Sequence, residues 1–415
     1  MKWKVKMRKR EMLSYEDKPI EEYEREENKR KSKPESVIPK SKKKTIAIIA
    51  VLLVAVVAVC GLWQYIAPDS LLNSVASSKV KGDGFPVKIE GKIVDESDTC
   101  VLNNNLAYIS ETQFQLINNT GGLVLDERIK FASSAMSSCN DYVIIYDRAG
   151  KNYEIKNSTG TLYRGEADDD IFSAQILENG CYALLTKKSG YTAKLTVFDN
   201  DHKQKYAYYF SECYTTDVAL NKDATRAVVC GLDASDGSIV SKIYVLDFTM
   251  PEPMAKMDFK DNTIYDVSFL ENENISAIGD KSTMIITSDY QQKYEFTYNG
   301  YNLVSKAVDK DGVFLSLSPF TDGKSCEIWY ISQDALTTIT KTGLSTESMD
   351  FNGKNVAILS DNKITTFNTA TQTTIAENDA GIDAKSICFA DDNTIYVVGI
   401  SEIREVKLNT AYDKK

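Results

Sequence analysis

The chain repeats one short hairpin along most of its length, and this repeat limits the possible folds more than any other feature. Each copy consists of an apolar strand, two to five polar turn residues and a second apolar strand. The turns are rich in Asn, Asp and Gly, which accept left-handed backbone angles and hydrogen-bond their own main chain. The eight copies lie at 101–106, 138–143, 176–182, 219–227, 269–275, 308–313, 349–356 and 389–395.

The spacing of the copies indicates a β-propeller. Their second strands begin, on average about 41 residues apart, at Leu106, Tyr142, Tyr182, Ala227, Ile275, Val313, Val356 and Ile395. A further hairpin follows within several units, for example around Val245–Asp247, so that one unit holds about four short strands, as a propeller blade does. We therefore predict an all-β, eight-bladed propeller over residues 86–410, or seven blades if one unit is degenerate. A β-sandwich array would not predict so regular a period.

The two ends of the repeat predict how the ring closes. The last unit supplies only three strands, at 385–389, 395–400 and 403–408. A lone strand, Pro86–Val94, precedes the first full unit. This strand can complete the last blade and so remove an open sheet edge that would invite aggregation.

An apolar segment before the repeat predicts one transmembrane helix over residues 45–67. Thr45–Ile66 contains no charged residue, and at 1.5 Å per residue it is long enough for a bilayer core of about 30 Å. The residues flanking this segment are Lys42, Lys43 and Lys44 before it and, as interfacial anchors, Trp63 and Tyr65 at its far end. A cleaved signal peptide is the alternative, but the long preceding region and the lack of a small-residue cleavage site favour an uncleaved anchor.

Charge is distributed unevenly along the chain, and this predicts the topology. Residues 1–44 hold 16 Lys and Arg and 9 Asp and Glu, a net charge of +7, whereas the remainder holds 33 basic and 50 acidic residues, a net charge of −17. The positive-inside rule places 1–44 in the cytoplasm as a disordered charged tail that can touch anionic lipid, and the rest outside. An acidic propeller also argues against nucleic-acid binding. Residues 68–85 are a predicted linker and 411–415 a C-terminal tail.

Four stretches carry a resemblance to a known family: Asp141–Lys151, Gly190–Phe198, Asp217–Val229 and Ile239–Phe248. Together with the membrane segment, over roughly 45–410, they resemble bacterial single-pass membrane proteins whose extracytoplasmic propeller is a domain of unknown function. The resemblance implies a quinoprotein-like or WD40-like architecture without the WD signature, a location at the cell membrane and an origin mostly in Gram-positive bacteria. It implies no activity. The strand pattern is also similar to that of an outer-membrane assembly lipoprotein that acts as a scaffold.

Few residues of the propeller suggest chemistry. The one histidine, His202, lies in a polar turn and is expected to be exposed to solvent rather than to act as a base. Seven cysteines lie outside the apolar segment without any C-x-x-C spacing, which favours buried free thiols over a metal site, with one or two disulfides as the alternative. Acidic stretches such as Asp168–Asp170 lack the spacing of a calcium loop. We therefore assign no catalytic, cofactor-binding or metal-binding residue.

Two functions remain consistent with the sequence. The first is a non-enzymatic scaffold, anchored by one helix, that binds an unidentified protein of the cell envelope. The alternative is a propeller that binds or hydrolyses a glycan or small molecule with carboxylates at its central channel. Raised carboxyl pKa values around the channel would favour this alternative, and a channel lined by apolar and amide groups would count against it.

Overall fold

A computed structural model describes residues 80–89, 98–110, 112–234, 237–369, 371 and 373–408. The predicted membrane segment 45–67, its flanking residues, the tail 1–44, most of the linker and the tail 411–415 lie outside these ranges. Within the described ranges, no helix is long and apolar enough to cross a membrane.

Thirty-two strands form eight four-stranded antiparallel sheets, which are the blades. Blades 1 and 2 consist of β2 (Thr99–Leu102), β3 (Asn105–Ser110), β4 (Gln113–Ile117) and β5 (Leu123–Arg128), then β6 (Ser134–Cys139), β7 (Tyr142–Asp147), β8 (Asn152–Asn157) and β9 (Gly160–Glu166). Blades 3 and 4 consist of β10 (Ile171–Ile176), β11 (Tyr182–Thr186), β12 (Ala193–Phe198) and β13 (Gln204–Phe210), then β14 (Tyr214–Leu220), β15 (Arg226–Asp233), β16 (Val240–Asp247) and β17 (Ala255–Lys260).

The second half repeats this arrangement. Blades 5 and 6 consist of β18 (Ile264–Phe269), β19 (Ile275–Gly279), β20 (Ser282–Ile286) and β21 (Lys293–Thr297), then β22 (Asn302–Asp309), β23 (Gly312–Ser318), β24 (Glu327–Ser332) and β25 (Thr337–Lys341). Blade 7 consists of β26 (Ser348–Phe351), β27 (Asn355–Ser360), β28 (Lys363–Asn368) and β29 (Thr374–Asp379). Blade 8 consists of β30 (Ala384–Asp391), β31 (Thr394–Gly399), β32 (Glu402–Lys407) and, as its outermost strand, β1 (Val87–Lys88). The prediction of eight blades is confirmed.

The hydrophobic core is divided among the interfaces between blades. Each of eight apolar clusters contains side chains from two neighbouring blades, for example Leu185 of blade 3 with Val229 of blade 4. The second and third strands have long apolar runs because both of their faces are covered, whereas outer strands such as β25 alternate between exposed and half-buried residues. The blades therefore stabilise one another through burial around the ring.

The ring closes as the sequence predicts, but through a shorter strand. Val87 pairs with Ile403 and Lys88 with Glu402, and the N–H of Ile89 donates to the carbonyl of Ser401 at 2.9 Å. Pro86 has no N–H to add to this ladder, and residues 90–97 lie outside the described part of the chain. The strand β2 also contacts both β6 and β30, so blade 1 touches its neighbours on both sides.

Antiparallel pairing gives the propeller two distinct faces. The tight turns that join first to second and third to fourth strands lie on one side, which we call the turn face. The connections from second to third strands, and from one blade to the next, lie on the other side, which we call the loop face. The chain enters at the turn face: Asn118 in the β4–β5 turn donates to the carbonyl of Val80, and the N–H of Gly84 donates to the carbonyl of Thr120.

Candidate functional site

The first strand of each blade lies at the centre of the ring, and five of these inner strands carry an irregularity near their start. The pairing register shifts at one extra residue in β10, β14, β18, β22 and β30. A bulge of this kind turns its extra side chain away from the regular pattern. As a result Phe172 and Tyr265 are 38% and 40% exposed, although the residues just before them, Ile171 and Ile264, are fully buried.

In two inner strands, a side chain near the start of the strand accepts a hydrogen bond from a backbone group of the next blade. Asp217 of β14 accepts a hydrogen bond from the N–H of Val267 in β18 at 3.1 Å. Ser348 occupies the same place in β26 and accepts from the N–H of Ile387 in β30 at 3.2 Å. Neighbouring inner strands do not pair as a sheet, so these side chains supply the acceptors that a ladder would otherwise provide.

Charged groups occupy this position in the middle blades. Asp217 also accepts from the hydroxyl of Ser173 at 3.3 Å, and Asp266, at the equivalent place in β18, forms an ion pair with Lys306 of β22. Burial, together with the charge of Asp266, raises the pKa of Asp217 to about 7, while the Val267 N–H bond and Lys306 oppose this rise. The interface between blades 4 and 5 therefore contains a carboxyl group that titrates near neutral pH.

At the turn face, the inner strands of blades 2 to 6 surround a cavity of about 490 Å³, which we call the funnel. Its volume lies within the range of small-molecule sites. Polar and charged side chains from five blades line it: Cys139, Gln175, Glu178, Lys222, Glu271, Glu273, Asp309 and Lys310. The short hairpin turns bring these residues together because every first turn ends at the same side of the ring.

The rim of the funnel is held by contacts between consecutive blades. Lys222 of blade 4 pairs with Glu271 of blade 5 at 3.1 Å. The N–H of Glu271 donates to the carbonyl of Lys310 in blade 6 at 2.8 Å. Glu273 accepts from Arg226 at 2.7 Å, which ties blades 4 and 5 a second time. These contacts fix the positions of the lining groups before any ligand arrives.

Two lining carboxylates take no part in the ion pairs of the rim. Glu178 is exposed and Asp309 is half-buried, and neither forms an ion pair within the described residues. Burial and the charges of Asp311 and Glu271 raise the pKa of Asp309, although the N–H and the charge of Lys310 lower it. Burial, with Glu178 and Asp309 nearby, also raises the pKa of the Cys139 thiol, which makes it a weak nucleophile.

The structure places the residues singled out in the sequence away from the funnel, with the exception of Cys139. His202 is half-buried rather than exposed, because its ring stacks on Tyr163 at 3.8 Å, and burial lowers its pKa despite Asp199 and Asp201. All seven described cysteines are free thiols. The anchor residues Lys42, Lys43, Lys44, Trp63 and Tyr65 lie outside the described ranges. In the part of the chain that the structure describes, no group of three or more His, Cys, Asp or Glu could hold a metal ion.

Sequence reasoning missed the charged positions of the inner strands. Asp217 and Asp266 are acidic residues within otherwise apolar strands, and each is followed by a valine. That recurrence is a usable signal, because an acidic residue inside a strand needs a partner. The residues of the funnel carry no such signal, since their turns look like ordinary surface turns until the ring brings them to one opening.

Comparison with solved structures identifies the fold. The C-terminal WD40 domain of Sif2 is 13% identical over 77% of this chain and 100% of that chain, with a TM-score of 0.55. BamB from Moraxella catarrhalis is 12% identical over 77% of this chain and 99% of that chain, with a TM-score of 0.46. No curated protein sequence matches the chain.

A family model does match, and it covers nearly the whole propeller. The match spans residues 82–408, from just before β1 to the residue after β32. The chain therefore belongs to DUF5711, a family of unknown function.

Proposed function

We propose that this protein is a non-enzymatic interaction module of the cell envelope, held at the membrane by residues 45–67 with its propeller outside the cell. The uncharged segment and the basic residues before it support the anchor and its orientation. The continuous ring of inter-blade clusters supports the scaffold role, because a closed ring presents its loops on a rigid frame.

The observation that carries this proposal is the exposure of large apolar side chains on the loop face. Ile382, Tyr214 and Phe320 are 93%, 72% and 55% exposed, and they lie at the start of an inner strand or in connections of the loop face. Aromatic and aliphatic anchors of this kind are the residues that protein interfaces bury at their centres. Residues 80–84 contact the opposite face, so that this described part of the chain does not cover the loop face.

The proposal is tested by photo-crosslinking in cells. A photoreactive amino acid replaces Tyr214 or Ile382 in one pair of variants and Leu162 or Tyr294, which are exposed on outer strands, in a control pair. We expect discrete adducts with one envelope protein from the first pair and diffuse or no adducts from the second. Adducts of equal pattern from both pairs, or none from either, would contradict the proposal.

A second candidate function is favoured by the carboxylates of the funnel. Glu178, Glu271 and Asp309 line one cavity, and the pKa of Asp309 is raised. This is the pattern expected for a site that binds a glycan or small molecule. Binding of cell-wall glycan fragments to the full chain, lost on substitution of Asp309, would establish it.

A further inference from the structure

The funnel carries more negative than positive charge, and part of that charge is unopposed. Its lining contains four carboxylates and two lysines, and with Arg226, which pairs with Glu273 from outside the lining, the net charge is −1. Lys222 is paired with Glu271 and Glu273 with Arg226, so these four charges cancel. Glu178 and Asp309 are left, with Lys310 as the one lining lysine that forms no ion pair within the described residues.

The position of these two carboxylates suits a single positively charged group. Glu178 belongs to the turn of blade 3 and Asp309 to the inner strand of blade 6, and Cys139 of blade 2 lies within electrostatic reach of both. Carboxylates that approach one space from different blades favour a cation between them, because each lowers the energy of the positive charge. The rim contacts prevent the turns from moving apart, which lowers the cost of ordering on binding.

The net negative charge of residues 45–415 also favours a cationic ligand. Residues 45–415 hold 33 basic and 50 acidic residues, so that a cationic partner is attracted from a distance. A free anion, or a phosphate group, is repelled by the same field. The ligand chemistry that fits the funnel is therefore a primary ammonium or guanidinium group on a flexible chain.

We infer that the funnel receives a lysine or arginine side chain from a basic segment of a partner protein. This inference rests on the proposed function, since it assigns the turn face a second contact with a bound protein. The cavity admits an extended side chain and its immediate backbone, and Glu178 and Asp309 bind the charged end. Lys222 and Glu271 hold the rim and do not contact the ligand's charge directly.

The test uses the full chain in neutral detergent micelles and a fluorescent eight-residue peptide of alternating lysine and glycine. We expect saturable binding at low salt, about 0.05 M, that weakens as salt rises. The double variant Glu178→Gln, Asp309→Asn is expected to bind about tenfold more weakly. A matched control, Asp223→Asn with Glu252→Gln, removes two exposed carboxylates of the same face that lie outside the lining, and is expected to change affinity less than about twofold.

The Cys139 thiol locates the bound peptide. Modification by N-ethylmaleimide, followed by mass spectrometry, is expected to slow at Cys139 when the peptide is bound. The half-buried thiols Cys181 and Cys388 lie outside the lining and serve as internal references. Equal protection of all three, or none at Cys139, would place the peptide elsewhere and overturn the inference.

The remaining outcomes also decide the question. The funnel site is overturned if the peptide does not bind, or if both double variants weaken binding equally. The proposed function would still be supported in that case if Tyr214 and Ile382 form crosslinks from the loop face. Failure of the crosslinks together with peptide binding would overturn the scaffold role instead. Spermidine that binds as tightly as the peptide, with the same loss in the double variant, would identify a free polyamine as the ligand and overturn the partner segment.

Discussion

The interface between blades 4 and 5 and the interface between blades 7 and 8 solve one structural problem with different chemistry. In both, a side chain of one inner strand accepts a hydrogen bond from a backbone N–H of the next. Between blades 7 and 8 the acceptors are the hydroxyl of Ser348 and the carboxylate of Asp350, which accepts from the N–H of Phe389 at 2.7 Å. Between blades 4 and 5 the acceptor is Asp217, next to a second carboxylate.

The difference shows that these two interfaces both accommodate a side-chain acceptor at this place, and that the acceptor can be neutral or charged. A hydroxyl meets the requirement at every pH. A pair of carboxylates meets it only if a cation or a proton compensates, and here Lys306 compensates one of the two. We therefore expect the stability of blades 4 and 5 to depend on pH and on Lys306. The stability of blades 7 and 8 depends instead on the hydroxyl of Ser348 and on the carboxylate of Asp350, which accepts a backbone hydrogen bond.

The largest effect is expected on removal of Lys306. Lys306→Met leaves Asp266 and Asp217 without a nearby cation, and Oδ1 of Asp266 is already buried without a hydrogen-bond partner among the described residues. We expect a loss of about 2–3 kcal/mol in the free energy of unfolding at pH 7. This is less than the ~3–5 kcal/mol for a fully buried pair, because Lys306 is a third exposed.

Urea unfolding of the full chain measures this loss. Lys324→Met is the matched control, because Lys324 pairs with Asp322 at a fully solvated surface, where an ion pair is worth ~1 kcal/mol or less. A loss from Lys306→Met no larger than that of the control would show that the two carboxylates do not need their cation.

A smaller effect is expected at the interface between blades 7 and 8. Asp350→Ala removes the acceptor of the Phe389 N–H, and an unsatisfied buried donor costs about 1–2 kcal/mol. Unlike the loss from Lys306→Met, this loss is expected to be similar at pH 6 and pH 8, since the N–H that loses its acceptor does not titrate. Asp392→Ala, at an exposed turn of blade 8, serves as the control. A strong dependence of the Asp350→Ala loss on pH would contradict the contrast between the two interfaces.

The effect most specific to blades 4 and 5 is expected from Asp217→Asn, and it depends on pH. The raised pKa means that the folded wild type keeps a proton that the unfolded chain releases, so this group's contribution falls as pH rises from about 4 to about 7. An amide can still accept from Val267 but does not ionise. The variant is therefore expected to match the wild type near pH 4 and to be the more stable of the two at pH 8, because it carries no buried charge there. Thermal unfolding across this range measures the difference, and a constant offset at all pH values would rule out titration of Asp217.

The sequence predicted the blades because their signal is local. The hairpin around Asn221–Thr225 appears in the chain as two apolar runs and a polar turn, and its strands β14 and β15 form as expected. The prediction that His202 is exposed was wrong because its burial depends on a contact between blades. His202 lies in a turn, and Tyr163, which covers its ring, comes from the preceding blade. The sequence of the turn does not indicate that contact.

The funnel shows the same limit for function. Glu178 and Asp309 are separated by 131 positions along the chain, and each looks like an ordinary surface carboxylate in its own turn. Their shared cavity exists only because eight copies of one unit bend into a ring. The predicted membrane anchor differs from the funnel, because its length and its flanking charges can be read directly from a short stretch of the sequence.

The two-residue strand β1 has a consequence for how the protein is made. Val87 and its partner Ile403 are 316 positions apart, so they leave the ribosome at opposite ends of synthesis. Seven complete blades are translated before the last one can take β1 as its outer strand. Until then, the nascent propeller is an open arc with two exposed ends, and the cell must keep that arc from pairing with other chains. The pairing of β1 with β32 thus closes the ring, and it can form only after blade 8 has been synthesised.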